Sequence, residues 1–172
     1  MSKKLFLFSA LLFGMMVALV PACTGDKCPD TCGNGVCLED GACDCDPGYE
    51  YDADGICTVL TQDKFTGFFT VSENCSNNPY LVEIVVNADV TKVGIKNFWD
   101  VFQNQVIATI SGTTITIARQ EPDNDKFFVE GTGTLSTNAS GKAVISLSYT
   151  VKDEDPVMST GTKSCTATFT EN

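Results

Sequence analysis

Apolar and polar residues alternate along the second part of the chain, and a repeat of two residues predicts β-strands with one buried face. Tyr80, Val82, Ile84 and Val86, for example, occupy every second position of one segment. Eight segments of this kind follow one another, at 64–75, 80–88, 92–98, 105–111, 113–120, 127–136, 143–152 and 161–170. The sequence shows no convincing 3.6-residue apolar stripe there, so the region 64–172 is predicted to be an all-β domain.

The connections between these segments are short, and short connections favour antiparallel neighbours. Ser111-Gly112 is typical of a tight hairpin. Eight sequential antiparallel strands suggest an up-and-down β-barrel, with a two-sheet β-sandwich as the alternative. A barrel of this size either holds one small ligand or fills itself with side chains. The many Phe and Ile residues favour a filled interior.

Two cysteines fall at positions that bear on the closure of the barrel. Cys75 lies at the end of the first predicted strand, and Cys165 lies near the start of the last one. In a closed barrel these strands are antiparallel neighbours, so a Cys75–Cys165 disulfide is feasible. In the chain-entropy description, closing so long a loop stabilises the fold by about 4–5 kcal/mol. A sandwich also allows this pair, so the cysteines favour the barrel without excluding the alternative.

Residues 24–57 have a different chemistry, with six cysteines spaced C-x3-C-x4-C-x5-C-x-C-x11-C among turn-forming and acidic residues. So short a segment buries too little apolar surface to fold unaided, and disulfides must therefore hold it. Six cysteines allow many pairings, and their spacing alone does not choose among them. Residues 58–63 are predicted to be a short linker to the barrel.

Three motifs in this segment together resemble an EGF-like module of the short tenascin type: Cys32-Gly-Asn-Gly-Val-Cys37, Cys43-Asp-Cys45 and Pro47-Gly-Tyr49. The resemblance covers residues 28–57. It implies the disulfides Cys28–Cys37, Cys32–Cys43 and Cys45–Cys57.

Metal binding by this segment is an alternative to a purely structural role. EGF-like modules of the calcium-binding subtype carry an aromatic residue between the third and fourth cysteines, and residues 38–42 contain none. Oxygen ligands suit calcium, and the acidic candidates are Asp26, Asp30, Glu39, Asp40 and Asp44. We expect these acids to be solvated, and we predict no metal and no other cofactor.

The start of the chain resembles an export signal. Lys3 and Lys4 precede the almost wholly apolar run 5–20, and small residues follow at Pro21 and Ala22. The apolar run is shorter than the roughly 20 residues that a membrane-spanning helix needs. Residues 1–22 are therefore predicted to be a signal peptide, and export to an oxidising compartment is consistent with disulfides.

Cys23 is the cysteine left over from an odd total of nine. It follows Val20-Pro-Ala22, which resembles the lipobox of bacterial lipoproteins. That resemblance implies lipidation of Cys23, with a diacylglyceryl thioether and an N-linked acyl chain such as palmitate. Several acyl chains anchor a protein firmly. We therefore expect residues 23–27 to be a lipidated tether, which places the protein on the bacterial outer membrane or cell surface.

The charge and the residue types exclude several functions. Without residues 1–22, 9 basic and 22 acidic side chains remain, which disfavours nucleic acid as a partner. The chain has no histidine, so the usual Ser-His-Asp and Cys-His arrangements cannot form. The acidic loops 123–125 and 153–155 could supply paired carboxylates for a hydrolase, although solvated turns have the same composition. Gly131 and Gly133 lie within a predicted strand and indicate a bend or bulge.

The sequence therefore predicts a non-catalytic lipoprotein that binds or adheres to a protein or glycan partner. Residues 64–170 resemble the small lipocalin-like domains of bacterial surface lipoproteins, with Gly67-Phe-Phe69 where lipocalins usually carry Gly-x-Trp. This resemblance implies the first alternative, a carrier of a small apolar ligand. A hydrolase that uses loop carboxylates is the second alternative.

Overall fold

The computed structural model describes Cys28 and residues 31–172, and it has two parts. The first part, called here the N-terminal module, consists of two small antiparallel sheets. One sheet pairs β1 (Gly35–Cys37) with β2 (Cys43–Cys45), and the other pairs β3 (Tyr49–Tyr51) with β4 (Cys57–Leu60).

Three disulfides hold this module together. They join Cys28 to Cys37, Cys32 to Cys43 and Cys45 to Cys57, with Cα–Cα distances of 6.0, 5.5 and 5.3 Å. These are the pairs that the EGF-like resemblance implies. Cys32, Cys43 and Cys57 form the buried centre, and they replace the apolar core that a segment of this length cannot build.

The second part is a closed barrel of eight strands, each hydrogen-bonded to antiparallel neighbours. Its strands are β5 (Gly67–Glu73), β6 (Tyr80–Val86), β7 (Lys92–Lys96), β8 (Val106–Ser111), β9 (Thr114–Gln120), β10 (Phe127–Thr137), β11 (Ala143–Asp153) and β12 (Thr162–Glu171). Strands β5 and β12 close the barrel by pairing with each other. The prediction of an all-β, up-and-down barrel is confirmed, and the sandwich alternative is wrong.

Side chains alternate between the two faces of each strand, and the apolar side chains that point inward fill the barrel interior. Phe69 and Val71 of β5 point inward and are fully buried, whereas Phe68 between the inward positions is exposed. Phe169 of β12 lies opposite Val71 and is also buried. Next to this seam, a disulfide joins Cys75 to Cys165 with a Cα–Cα distance of 5.6 Å. Gly131 adjoins a shift in the pairing register of β10 with β9, consistent with the predicted irregularity.

The two ends of the barrel differ in the length of their connections. One end carries the connections 87–91, 112–113 and 138–142, and we call it the module end because the N-terminal module lies there. The opposite end, called the far end, carries longer connections at 74–79, 97–105, 121–126 and 154–161. Within the part of the chain that the structure describes, no helix is long and apolar enough to cross a membrane.

Residues 58–63, predicted to be a linker, form ordered structure that joins the two parts. They include the end of β4 and most of a 3₁₀ turn, Thr61–Lys64, in which Thr61 and Gln62 are buried. The two hydrogens of the Gln62 side-chain amide are shared among the carbonyls of Asn87, Asp89 and Lys92, which lie 3.0, 3.0 and 2.6 Å from the amide nitrogen. This amide satisfies carbonyls of a barrel turn, which fixes the segment against the barrel.

The module also contacts the barrel directly. Gly48 has a φ of +93°, and a Cβ built on it would lie 2.7 Å from a Val90 side-chain carbon in the 87–91 connection. Only glycine fits this approach without strain. An ion pair also joins Lys64 of the 3₁₀ turn to Glu50 of β3.

Candidate functional site at the far end

The 97–105 connection covers the far end of the barrel. Its Phe98 is fully buried and inserts into the interior, where its ring packs edge-on against Tyr149 at 4.9 Å between centroids. Phe169 and Phe102 lie 6.4 and 6.3 Å from the same ring. We call residues 97–102 the lid, because they pack over the inward-facing side chains of this end.

The backbone of the lid is strained. Asn97, Trp99 and Asp100 have φ values of 57°, 60° and 54°, in the left-handed region that residues with a Cβ rarely adopt. For a bulky aromatic residue such as Trp99 this conformation is a genuine outlier, and outliers of this kind concentrate at functional sites. The Lys163 ammonium lies 5.2 Å from the centre of the Trp99 ring.

Beneath the lid, two tyrosines share one carboxylate oxygen. The hydroxyls of Tyr80 and Tyr149 donate hydrogen bonds to Glu73 Oε2 at 2.9 and 2.5 Å. The other carboxylate oxygen, Glu73 Oε1, is buried and has no hydrogen-bond partner. Burial raises the pKa of both phenols far above the usual range, and the Glu73 carboxylate is the second cause of this rise. Both tyrosine hydroxyls therefore remain neutral hydrogen-bond donors.

The strand register explains how this Glu73 cluster (Glu73, Tyr80 and Tyr149) forms. Glu73 continues the inward positions of β5 that Phe69 and Val71 begin, and it therefore points into the barrel. Gly131 lies opposite Tyr149 in the β10–β11 pair, and a Cβ there would come within 2.6 Å of the Tyr149 Cβ. A glycine at this position therefore leaves room for the tyrosine.

The two acidic loops predicted from the sequence also lie at the far end, and they touch. The Glu154 backbone N–H donates to the Lys126 carbonyl at 2.9 Å. Asp123 accepts hydrogen bonds from the backbone N–H groups of Gln103 and Asn104, both at 2.8 Å. These hydrogen bonds join one connection of the far end to another, and they leave the Asp123 carboxylate with partners inside the protein.

The carboxylates of the second acidic loop, residues 153–155, form hydrogen bonds or ion pairs with groups of the protein itself. Backbone N–H groups of Asp155 and Thr160 donate to Asp153 and lower its pKa. Lys152 at 2.8 Å and Arg119 at 2.9 Å from Glu154 lower the pKa of that carboxyl. A catalytic general acid needs a raised pKa, so neither Asp153 nor Glu154 suits that role. Asp155 accepts from the N–H groups of two following residues.

The calcium candidates are only partly within the described residues. Asp40 accepts a turn hydrogen bond from the Ala42 N–H at 3.0 Å, while Glu39 and Asp44 lie nearby in the module. Among the residues that the structure describes, no three His, Cys, Asp or Glu side chains are grouped to hold a metal ion. Asp26, Asp30, the predicted signal peptide 1–22 and the predicted tether 23–27 with Cys23 lie outside the described residues.

Sequence reasoning did not identify the Glu73 cluster. Alternation places Glu73 on the inward face of β5, and a charged residue at an inward position is an unusual feature. That signal was available, but the partners on β6 and β11 became evident only from the three-dimensional structure. Comparison of the chain with models of known families, with curated proteins and with solved structures finds no match to any of them.

Proposed function

We propose that this protein is an exported, lipid-anchored surface lipoprotein that binds a protein or glycan partner without catalysing a reaction. The observation that carries the proposal is the asymmetry of the barrel. The chain reaches the barrel through the N-terminal module at one end, and the long connections lie at the other. An anchor at Cys23 would therefore leave the far end pointing away from the membrane, where loops carry binding functions.

Exposed apolar side chains at the far end support a binding role. Val157 and Met158 at the tip of the 154–161 connection are 86% and 78% exposed, and Val101 in the lid is 56% exposed. Adjacent exposed apolar side chains, such as Val157 and Met158, are a feature of interaction surfaces. The filled barrel interior, with Phe98 inserted between other rings, favours this role over the carriage of an apolar ligand.

The cysteine chemistry supports the location. The EGF-like resemblance of residues 28–57 is strengthened by three disulfides with the pattern that it implies. Together with the Cys75–Cys165 bond, they favour an oxidising compartment. Eight of the nine cysteines are then paired, which leaves Cys23 for the proposed lipid anchor.

The anchor is tested by the mass and the location of the protein. Intact mass of protein extracted from membranes is expected to show a diacylglyceryl group on residue 23 and eight oxidised cysteines. A Cys23→Ala variant is expected to leave the membrane fraction. A free thiol at Cys23, or a Cys23→Ala variant that stays in the membrane fraction, would contradict the anchor.

The binding role is tested by cell adhesion. Cells that display the protein are applied to immobilised extracellular proteins and to a glycan array, and adhesion is compared with that of a Val157→Asp/Met158→Asp double variant. We expect the double variant to lose adhesion. The matched control is Val86→Asp, because Val86 is similarly exposed, at 62%, but lies at the module end. Equal loss in both variants, or no adhesion of the parent protein, would contradict a far-end binding surface.

A further inference from the structure

Glu73 presents one carboxylate oxygen that the protein itself does not use. Both tyrosine hydroxyls donate to Oε2, while Oε1 is buried without a partner. A buried acceptor without a donor is costly, and each such case in a folded protein calls for an explanation. A partner for Oε1 would have to supply an N–H or O–H hydrogen, because a carboxylate oxygen only accepts.

The surroundings of Glu73 favour a cationic partner. The two tyrosines of the cluster, together with Phe98 packed on Tyr149, give aromatic rings beside the carboxylate. The Trp99 backbone approaches the Tyr80 hydroxyl from the lid. Aromatic faces attract organic cations, and none of the lysines and arginines in the described residues forms an ion pair with Glu73.

We propose that the Glu73 cluster and the lid form a binding site for a small protonated primary amine. The ammonium group would donate to Glu73 Oε1, and its carbon chain would pack against the rings of Phe98 and Trp99. A primary amine supplies both the N–H donor and the positive charge. A metal ion fits poorly, because hard cations prefer several oxygen ligands, and among the described residues no three His, Cys, Asp or Glu side chains are grouped around this carboxylate.

The lid gives the amine a route into the site. Three of its residues hold left-handed backbone conformations, and strain of this kind is concentrated at ligand clamps and switch regions. The Cys75–Cys165 disulfide lies just beyond Glu73 on the adjacent strands and fixes the rim around it. A rigid rim with a strained cover keeps the carboxylate preorganised while the cover moves.

Phenethylamine is a suitable probe, because it joins a primary ammonium group to an aromatic ring. The chain contains a single tryptophan, Trp99 in the lid, so intrinsic fluorescence reports on this site. With the mature, lipidated protein in detergent, we expect a saturable fluorescence change and a raised Tm. The neutral analogue 2-phenylethanol is expected to bind more weakly by about tenfold or more, since it lacks the charge.

Glu73→Gln keeps the shape of the side chain and removes its charge. We expect this variant to bind phenethylamine at least about tenfold more weakly than the parent protein does. The matched control is Glu83→Gln, because Glu83 pairs with Lys96 on the outer surface of the barrel, and its amine binding is expected to be unchanged. If Glu73→Gln does not fold by circular dichroism, Tyr80→Phe replaces it, with the same expectation of weaker binding.

Three results would overturn the proposal. The first is the absence of a saturable signal with phenethylamine, butylamine and putrescine up to about 10 mM, well above the range of typical small-ligand affinities. The second is equal binding of 2-phenylethanol, which would indicate an apolar pocket only. The third is undiminished amine binding by the Glu73 or Tyr80 variant. The partner binding proposed above is measured separately, so either proposal can fail alone.

Discussion

The N-terminal module and the barrel are stabilised in different ways. The module has three buried cysteines at its centre and three disulfides. The barrel has twenty-three buried side chains in its core and one disulfide. A short chain cannot remove enough apolar surface from water, so covalent bonds replace the core, whereas a longer chain folds by burial. We therefore expect loss of a disulfide to unfold the module, and loss of core volume to destabilise the barrel.

A large effect is expected from loss of core volume in the barrel. Phe69→Ala removes a fully buried ring from β5, and we expect it to lower the free energy of unfolding by about 3–5 kcal/mol. The neighbouring Phe68 is 61% exposed, so Phe68→Ala provides the control, with an expected change within about 0.5 kcal/mol. Urea unfolding followed by fluorescence measures both. Similar losses from the two variants would contradict burial as the source of barrel stability.

The next effect concerns the disulfides. A Cys45→Ala/Cys57→Ala double variant opens a short loop in the module, and we expect a cost of about 3 kcal/mol. Because the module has no apolar core to compensate, residues 31–57 should lose protection from hydrogen exchange while the barrel keeps its own.

The matched control is the barrel disulfide. A Cys75→Ala/Cys165→Ala double variant is expected to lower the barrel Tm, yet to leave the eight strands folded, because the core remains. Hydrogen exchange by mass spectrometry measures both variants. A barrel that opens in this control, or a module that stays protected without Cys45 and Cys57, would break the comparison.

A smaller effect is expected where the two regions meet. Gln62→Ala removes the donor to three barrel carbonyls, and we expect a loss of about 1–3 kcal/mol. Because Gln62 joins the module to the barrel, its removal should let the two regions unfold separately. The single thermal transition expected in calorimetry should then become two. Exposed Gln103 provides the control, and Gln103→Ala should leave the transition unchanged. A single unshifted transition in Gln62→Ala would show that the module and the barrel do not depend on this side chain.

Much of the fold could be predicted because its signals are local. Alternation located all eight strands to within a few residues, and the inward positions Val93 and Ile95 are buried as expected. Barrel closure made the Cys75–Cys165 bond feasible, since the first and last strands are then neighbours, and the structure contains this bond.

Other features depend on contacts between residues that are far apart in the sequence. Local sequence patterns therefore could not predict these features. The turn at Thr61–Lys64 has the composition of a connector, and its burial results from the carbonyls that Gln62 meets on the barrel. The Glu73 cluster joins strands far apart in sequence. The left-handed backbone at Trp99 occurs where its ring lies 6.2 Å from that of Phe102, which in turn lies 6.3 Å from the ring of Phe98.

The smallest effect concerns acid. The hydrogen bonds that Asp153 accepts from the Asp155 and Thr160 N–H groups hold its pKa below the ordinary 3.8. The folded 154–161 connection therefore gains stability above pH 3.8 and loses it as pH falls through the lowered pKa. We expect the Thr160 amide resonance to titrate with a midpoint below pH 3.8, and Asp153→Asn to remove this titration. A midpoint above that value would contradict the assignment.

The module offers an acid-sensitive counterpart at Asp52. A hydrogen bond from the Thr58 hydroxyl, followed by one from the Ile56 N–H, lowers the pKa of this carboxyl too. Protonation removes the same kind of contact in both regions, but the Cys45–Cys57 bond still holds the ends of the 45–57 loop together. Acid should therefore loosen the 154–161 connection while the module keeps its amide protection at the same pH. An equal loss of amide protection in both regions would mean that turn hydrogen bonds, and not disulfides, hold β3 and β4 of the module together.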